Sequence, residues 1–165
     1  MTDFNVHSTA EEVTNNLDLN GQTFLITGVN SGLGKESARV LGMRGATIIG
    51  CARTVEKAQS TLDEYQISGT AIACDLSDLH SVSAAIERIP SLHTPIQCIM
   101  ANAGIMALPT LHQKNGIELQ FYTNHVGHFH LVTNLVDQLT ENGRVVILSS
   151  RAHAYARPRG LELDN

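Results

Sequence analysis

Short apolar runs alternate with amphipathic stretches along most of the chain. Gln22–Thr27 (QTFLIT) is apolar and β-branched and ends at Gly28, the pattern of a buried strand. From Gly32 to Arg44, Leu33, Ser37, Val40 and Leu41 recur at helical spacing, and Gly45 closes the segment. The alternation then repeats. Ala46–Cys51 (ATIIGC) predicts a second strand, Val55–Tyr65 a second helix, Thr70–Cys74 (TAIAC) a third strand, and Leu79–Ile89 a third helix stopped by Pro90. Ile96–Ala101 (IQCIMA) predicts the fourth strand and Arg144–Leu148 (RVVIL) the fifth. Between them, Gly116–Leu139 predicts one long helix with Phe121, His125, Phe129, Val132, Val136 and Leu139 on a single face.

Strands that are apolar throughout, separated by amphipathic helices, belong to a parallel sheet covered on both faces. Right-handed crossovers make it doubly wound, an α/β Rossmann-type fold with its first five strands in the order 3-2-1-4-5. The polar residues 1–20 form a tail in which Ser8-Thr9-Ala10-Glu11 fits a capping box, predicting a short helix from Thr9 to about Leu17. Residues 21–165 form the domain. Such a sheet normally continues for at least one more strand and helix. Here only Ser149, Ser150 and RAHAYARPRGLELDN follow the fifth strand, leaving it an apolar edge and an aggregation hazard.

With 42% hydrophobic and 16% charged residues, the 165-residue chain has the apolar content for a core and lacks the composition of disorder. A net charge of −5 argues against a phosphate-backbone binder, so no nucleic-acid partner is expected. No apolar run approaches the roughly 18 residues of a membrane span. Cys51, Cys74 and Cys98 are odd in number, widely spaced and each set in an apolar run. They read as buried free thiols rather than a disulfide framework or zinc site. The opening MTDFNVHSTAEE carries acids and lacks the apolar core of a signal peptide, and a reducing cytoplasm is the expected compartment.

Thr27-Gly28-Val29-Asn30-Ser31-Gly32-Leu33-Gly34 lies between a predicted strand and a predicted helix. Gly28 permits a tight turn, while Gly32 and Gly34 let backbone approach a pyrophosphate and let the helix pack on the strand. The helix N-terminus offers N–H donors and a positive dipole end to phosphates. The spacing is GxxxGxG rather than GxGxxG, and a glycine-rich turn with no ligand is the other reading of this motif taken alone.

The turn is followed in order by CDL at Cys74–Leu76, ANAG at Ala101–Gly104, NHVGHF at Asn124–Phe129 and RVVILSS at Arg144–Ser150. Together these five motifs resemble the short-chain dehydrogenase/reductase family. STAEEV, NHVGHFHLV and SSRAHA are most similar to its retinol dehydrogenase-like branch, which includes the WW-domain oxidoreductases, and the resemblance spans about residues 8–165. It implies hydride transfer between a nicotinamide cofactor and an alcohol or carbonyl substrate. Position by position, it implies that Gly28, Asn30, Ser31, Gly32, Leu33 and Gly34 form the pyrophosphate turn. Asp75 and Leu76 then hold the adenine ring, and Asn102, Ala103 and Gly104 lie beside the ribose and nicotinamide. Asn124 matches the family's catalytic asparagine and Ser150 its catalytic serine. Other roles stay open: Asp75 as the N-cap of a helix over Ser77–Ile89, and Asn102 as a turn residue tying the fourth strand to the first.

The choice between NADP and NAD falls after the second strand. An acid there would hydrogen-bond the ribose 2′-OH and repel a 2′-phosphate, but Ala52 stands in that place and Arg53 follows it. Similar family members use NADP, so NADP is the expected cofactor and NAD the less favoured one, unless Arg53 is a solvated loop residue. Lys35 either adds positive charge or is a surface lysine.

The resemblance also implies a tyrosine, in a YxxxK pattern downstream of the serine, as proton donor. The sequence has no YxxxK. Tyr155 has Arg159 at the right offset, but it follows Ser150 too closely, and Pro158 interrupts the helix such a pattern needs. GLELDN resembles the loop before the tyrosine helix, so the chain reads as cut before it. His125, His128 and His130 cluster in the long helix, with His125 and His128 on one face, yet offer no third ligand, and no metal site is expected. Two functional classes remain: the cofactor-binding portion of an NADP-dependent oxidoreductase, inactive alone, or a non-catalytic nucleotide-binding or scaffold protein. Besides the substrate, the expected partner is a second copy, docked through the helix over residues 116–139.

Overall fold

The computed structural model describes residues 4–155. Thr9 opens α1 (Ala10–Val13): its hydroxyl accepts from the Glu12 amide while the Glu12 carboxylate accepts from the Thr9 amide. The capping box therefore sits one residue later than Ser8–Glu11. The helix stops at Val13 rather than near Leu17, because it buries no residue that would repay further ordering. An ion pair from Glu11 to Arg39 links it to the next helix, where Arg39 also pairs with Glu36.

The chain then runs β1 (Thr23–Thr27), α2 (Gly32–Met43), β2 (Thr47–Ala52), α3 (Val55–Glu64), β3 (Gly69–Ala73), α4 (Leu79–Arg88) and β4 (Ile96–Ala101), as the alternation predicts. A small hairpin of β5 (Gln113–Lys114) and β6 (Ile117–Glu118) leads into α5 (Leu119–Phe121), a π-helical turn (Tyr122–Gly127), α6 (His128–Leu135) and β7 (Leu139–Ile147). The five long strands make one parallel sheet in the order β3-β2-β1-β4-β7, the doubly wound arrangement expected, with β7 as the fifth strand.

Side chains alternate across the sheet. Leu25 joins Ile49, Ile72, Val82, Ile99 and Leu131 on the face covered by α4 and α6. Phe24 and Ile26 join Ile48, Ala38, Ala58 and Leu62 on the face covered by α2 and α3. Leu19, ahead of β1, is buried in this second cluster. Each fully buried Leu or Ile contributes about 1.5–3 kcal/mol of transfer free energy, so the sheet fixes the position of every loop at its carboxyl edge.

Two further segments depart from expectation. Gly116 starts no helix: Asn115 and Gly116 take φ of +54° and +77° and turn the β5–β6 hairpin. Helical backbone begins at Leu119, where the Glu118 carboxylate accepts from the Gln120 and Phe121 amides. The buried face carries Tyr122, Thr123, Gly127, His128, Leu131 and Leu135. Phe121, His125, Phe129 and Val136 lie outside, with the His125 ring between the two phenylalanines; of the expected face only Val132 and Leu139 pack on the core. The π turn adds a residue and rotates the register. Close approach fixes one position of the buried face: a Cβ on Gly127 would stand 3.0 Å from Leu76 Cβ, so the segment crosses Leu76 at a residue with no side chain.

Strand β7 starts five residues before Arg144. Leu139 pairs with Ile96 and Arg144 with Cys98, so residues 140–143 bulge opposite Gln97. The Gln97 amide accepts from Thr140 Oγ1 and donates to Asn142 O, which satisfies the bulge. The outer edge of β7 has no partner strand among the described residues, and Ile147 and Leu148 are exposed. The three cysteines are buried and free. Among the described residues no helix is long and apolar enough to cross a membrane.

Candidate functional site

The carboxyl ends of β1 to β4 open onto one cavity of about 540 Å³. Ten of the twelve residues matched to a cofactor line it. Gly28, Asn30, Ser31 and Leu33 come from the β1–α2 turn, Arg53 from the end of β2, Asp75 and Leu76 from the end of β3, and Asn102, Ala103 and Gly104 from the end of β4. Gly32 and Gly34 are not part of the lining; they shape the turn.

Gly28 has φ +68°, and a Cβ on it would stand 2.9 Å from Ala103 Cα. A Cβ on Gly34 would fall on the Gly28 carbonyl and lie 2.5 Å from Asn102 Nδ2. Gly32 differs: φ is +53°, and nothing lies within 4 Å of where its Cβ would be. Ser31, the N-cap of α2, makes no side-chain cap bond. The first-turn N–H groups and the Ser31 hydroxyl are thus left to an acceptor in the cavity. A cradle with no room for side chains beneath it and open space above Gly32 fits a dinucleotide pyrophosphate.

Asp75 does not cap α4; Asp78 does, accepting from the His80 amide. Asp75 Oδ1 accepts from the Ser77 amide at 2.9 Å and the Ser77 hydroxyl at 2.7 Å, while its own N–H donates to Ser81 Oγ. These bonds hold the carboxylate at the cavity wall. Arg53 is exposed at the rim beside buried Ala52. Lys35 is held elsewhere, paired with Glu64 at 2.8 Å and over the Tyr65 ring. Burial, with Asp75 nearby, pushes the Cys74 thiol up to about 12, so it lines the cavity as an inert thiol.

Behind the lining, Thr27 at the end of β1 is a junction. Its Oγ1 accepts from the amides of Asn102 and Ala103, each at 3.0 Å, and Asn102 Nδ2 donates to Thr27 O. Asn102 therefore does tie β4 to β1, and the same bonds aim its neighbours at the cavity. His128 Nε2 lies 2.8 Å from Thr27 Oγ1, and His128 Nδ1 lies 2.8 Å from Asn124 O. A carbonyl only accepts, so Nδ1 carries the proton and Nε2 accepts from the Thr27 hydroxyl. Burial lowers the His128 pKa and keeps the ring neutral. His125, by contrast, is exposed, so the two histidines do not share a face as an α-helical spacing suggests; the π turn separates them.

Asn124 stands behind Gly104 and Ile105. Its Oδ1 accepts from the Ile105 amide and its Nδ2 donates to Ile105 O, both at 2.8 Å. Ser150 follows β7 two residues after Leu148, which lines the cavity and extends the ladder through its N–H to Ala101 O. Ser150 itself is not in the lining; its carbonyl accepts from the His153 amide. The Tyr155 side chain, Pro158, Arg159 and GLELDN lie outside the described residues. Sequence reasoning passes over Thr123, Ser77, Ile105, Leu108 and Leu119, which also line the cavity. Thr123, Ser77 and Ile105 adjoin sequence motifs, directly before Asn124 and directly after CDL and ANAG, whereas Leu108 and Leu119 adjoin none.

The short chain dehydrogenase family pattern matches residues 22–161. The chain is 40% identical, over 95% of its length, to short-chain dehydrogenase TIC 32 B, a chloroplastic protein of Brassica napus, covering 53% of it. It is 37% identical, over 92% of its length, to retinol dehydrogenase 12 of Mus musculus, covering 50% of that protein. The chain thus spans about half the length of these curated relatives. A solved structure of an uncharacterised protein from Mycobacterium paratuberculosis superposes with a TM-score of 0.76 at 37% identity, over 87% of this chain and 52% of that one. Pattern, identity and fold agree: the chain belongs to the short-chain dehydrogenase family of oxidoreductases.

Proposed function

We propose that the cavity binds NADP(H) and that the chain is the cofactor-binding portion of an oxidoreductase acting on an alcohol or carbonyl. One observation carries the reading: the turn at α2, the ends of β3 and β4, and Arg53 converge on a single cavity. Ala52 at the end of β2 brings no charge to repel a 2′-phosphate, and the Arg53 guanidinium can pair with one through two parallel hydrogen bonds. In this reading the pyrophosphate lies on the first turn of α2, the adenine against Asp75 and Leu76, and the nicotinamide beyond Gly104. When bound, the cofactor supplies the hydride.

Ser150 holds the substrate oxygen. Asn124 is a positioning residue: its amide fixes Ile105 and so the segment that the nicotinamide meets. Neither group ionises usefully at neutral pH, and these 165 residues contain no YxxxK to give the proton. The exposed stripe of Phe121, Phe129 and Val136 receives a second copy, and the buried free thiols suit a reducing cytoplasm.

The test is turnover with binding. The purified chain should bind NADPH without oxidising it above background on a panel of carbonyls. Fusing the YxxxK-bearing segment of a full-length family member to the chain should restore reduction, and Ser150→Ala should then remove most of it. Binding without turnover even in the extended protein would favour the non-catalytic reading. Robust reduction by the 165-residue chain, lost on Tyr155→Phe, would contradict the proposed absence of a proton donor.

A further inference from the structure

Thr123 Oγ1 is the one buried side-chain polar atom among the described residues that has no hydrogen-bond partner. The residue is 7% exposed and lines the cavity. In an ordinary helix a threonine returns its hydroxyl to the carbonyl four residues back. Thr133 in α6 does so with Phe129 O at 2.7 Å, and Thr14 with Ala10 O at 2.8 Å. Thr123 stands in the π turn, where the wider backbone leaves its hydroxyl without that acceptor. It shares a face with Gly127, one turn on, which packs against Leu76. Thr123, Leu76 and Asp75 all line the cavity, and the contact of Gly127 with Leu76 brings the Thr123 segment against the end of β3.

We infer that Thr123 is a binding residue for the adenosine half of the dinucleotide, its hydroxyl hydrogen-bonding the purine or its ribose. The inference rests on the cofactor reading above and deepens it. A buried hydroxyl that finds its partner only in the ligand is a liability in the free protein and an asset in the complex.

The experiment titrates NADPH and adenosine 2′,5′-bisphosphate into the parent chain, Thr123→Val and Thr123→Ser, and records thermal unfolding of each without ligand. Thr123→Val should weaken both ligands by about three- to tenfold, the worth of one hydrogen bond, and leave the unliganded midpoint unchanged or higher. Thr123→Ser, which keeps the hydroxyl, should stay within about twofold of the parent. Undiminished binding by Thr123→Val would overturn the inference, as would a loss of binding matched by a fall in the unliganded midpoint, the mark of a structural hydroxyl. A loss confined to NADPH, with the bisphosphate bound as before, would overturn the placement in the adenosine half. If the parent binds neither ligand, the cofactor reading itself fails, which is visible before any variant is compared.

Discussion

Gly32 and Gly34 are two residues apart and should fail differently when a methyl is added. At Gly34 the methyl meets the Gly28 carbonyl and Asn102, both held by the β1–β4 junction. Gly34→Ala should cost about 1–3 kcal/mol in urea unfolding, the range for overpacking, and abolish NADPH binding. At Gly32 the protein leaves the space open, so Gly32→Ala should cost about 1–2 kcal/mol through its left-handed backbone alone and weaken NADPH binding by placing a methyl where the pyrophosphate would lie. A Gly34→Ala chain as stable as the parent would refute the close packing. These glycines are legible in the sequence because a strand–turn–helix junction dictates them locally. Thr27 and His128 are not, because their contact spans 101 residues and exists only once β1 and α6 are packed.

At the scale of elements, the segment from Leu119 to Leu135 is where pattern reading is weakest. Apolar spacing selects the stripe of Phe121, Phe129 and Val136, and packing selects the other face. Both ends are anchored, by Glu118 at the start and by His128 on Thr27 further on, and the extra residue between them is taken up as the π turn. No local propensity announces that. His128 makes the anchor pH-dependent. Its folded pKa is lowered by burial from the ordinary 6.5, so below about pH 6.5 the unfolded chain takes up a proton that the folded chain does not. This contribution to stability is complete above pH 6.5 and is lost as pH falls toward the folded pKa. His128→Gln should cost about 1–3 kcal/mol at pH 7.5, by unpairing Thr27 and Asn124, yet show a smaller drop in urea midpoint between pH 7.5 and 5 than the parent. Equal drops would remove His128 from the pH response.

For the whole molecule, the order of the sheet was readable because five apolar runs and four amphipathic spacers admit few right-handed parallel arrangements. The cavity followed from that order, since the carboxyl ends of adjacent strands meet at one edge. The start of β7 did not, because Thr140–Gly143 reads as a loop and becomes a bulge only against Gln97. At this scale we propose that the cavity is built for NADP(H), with Arg53 on the 2′-phosphate. Calorimetric titration of the chain with NADPH and with NADH, repeated on Ala52→Asp with Arg53→Ala, tests it most directly. A charge-assisted pair worth about 1.5–3 kcal/mol predicts that the parent favours NADPH by about 10- to 150-fold and that the double variant loses or reverses the preference. Equal affinity of the parent for the two dinucleotides, or no binding of either, would contradict it.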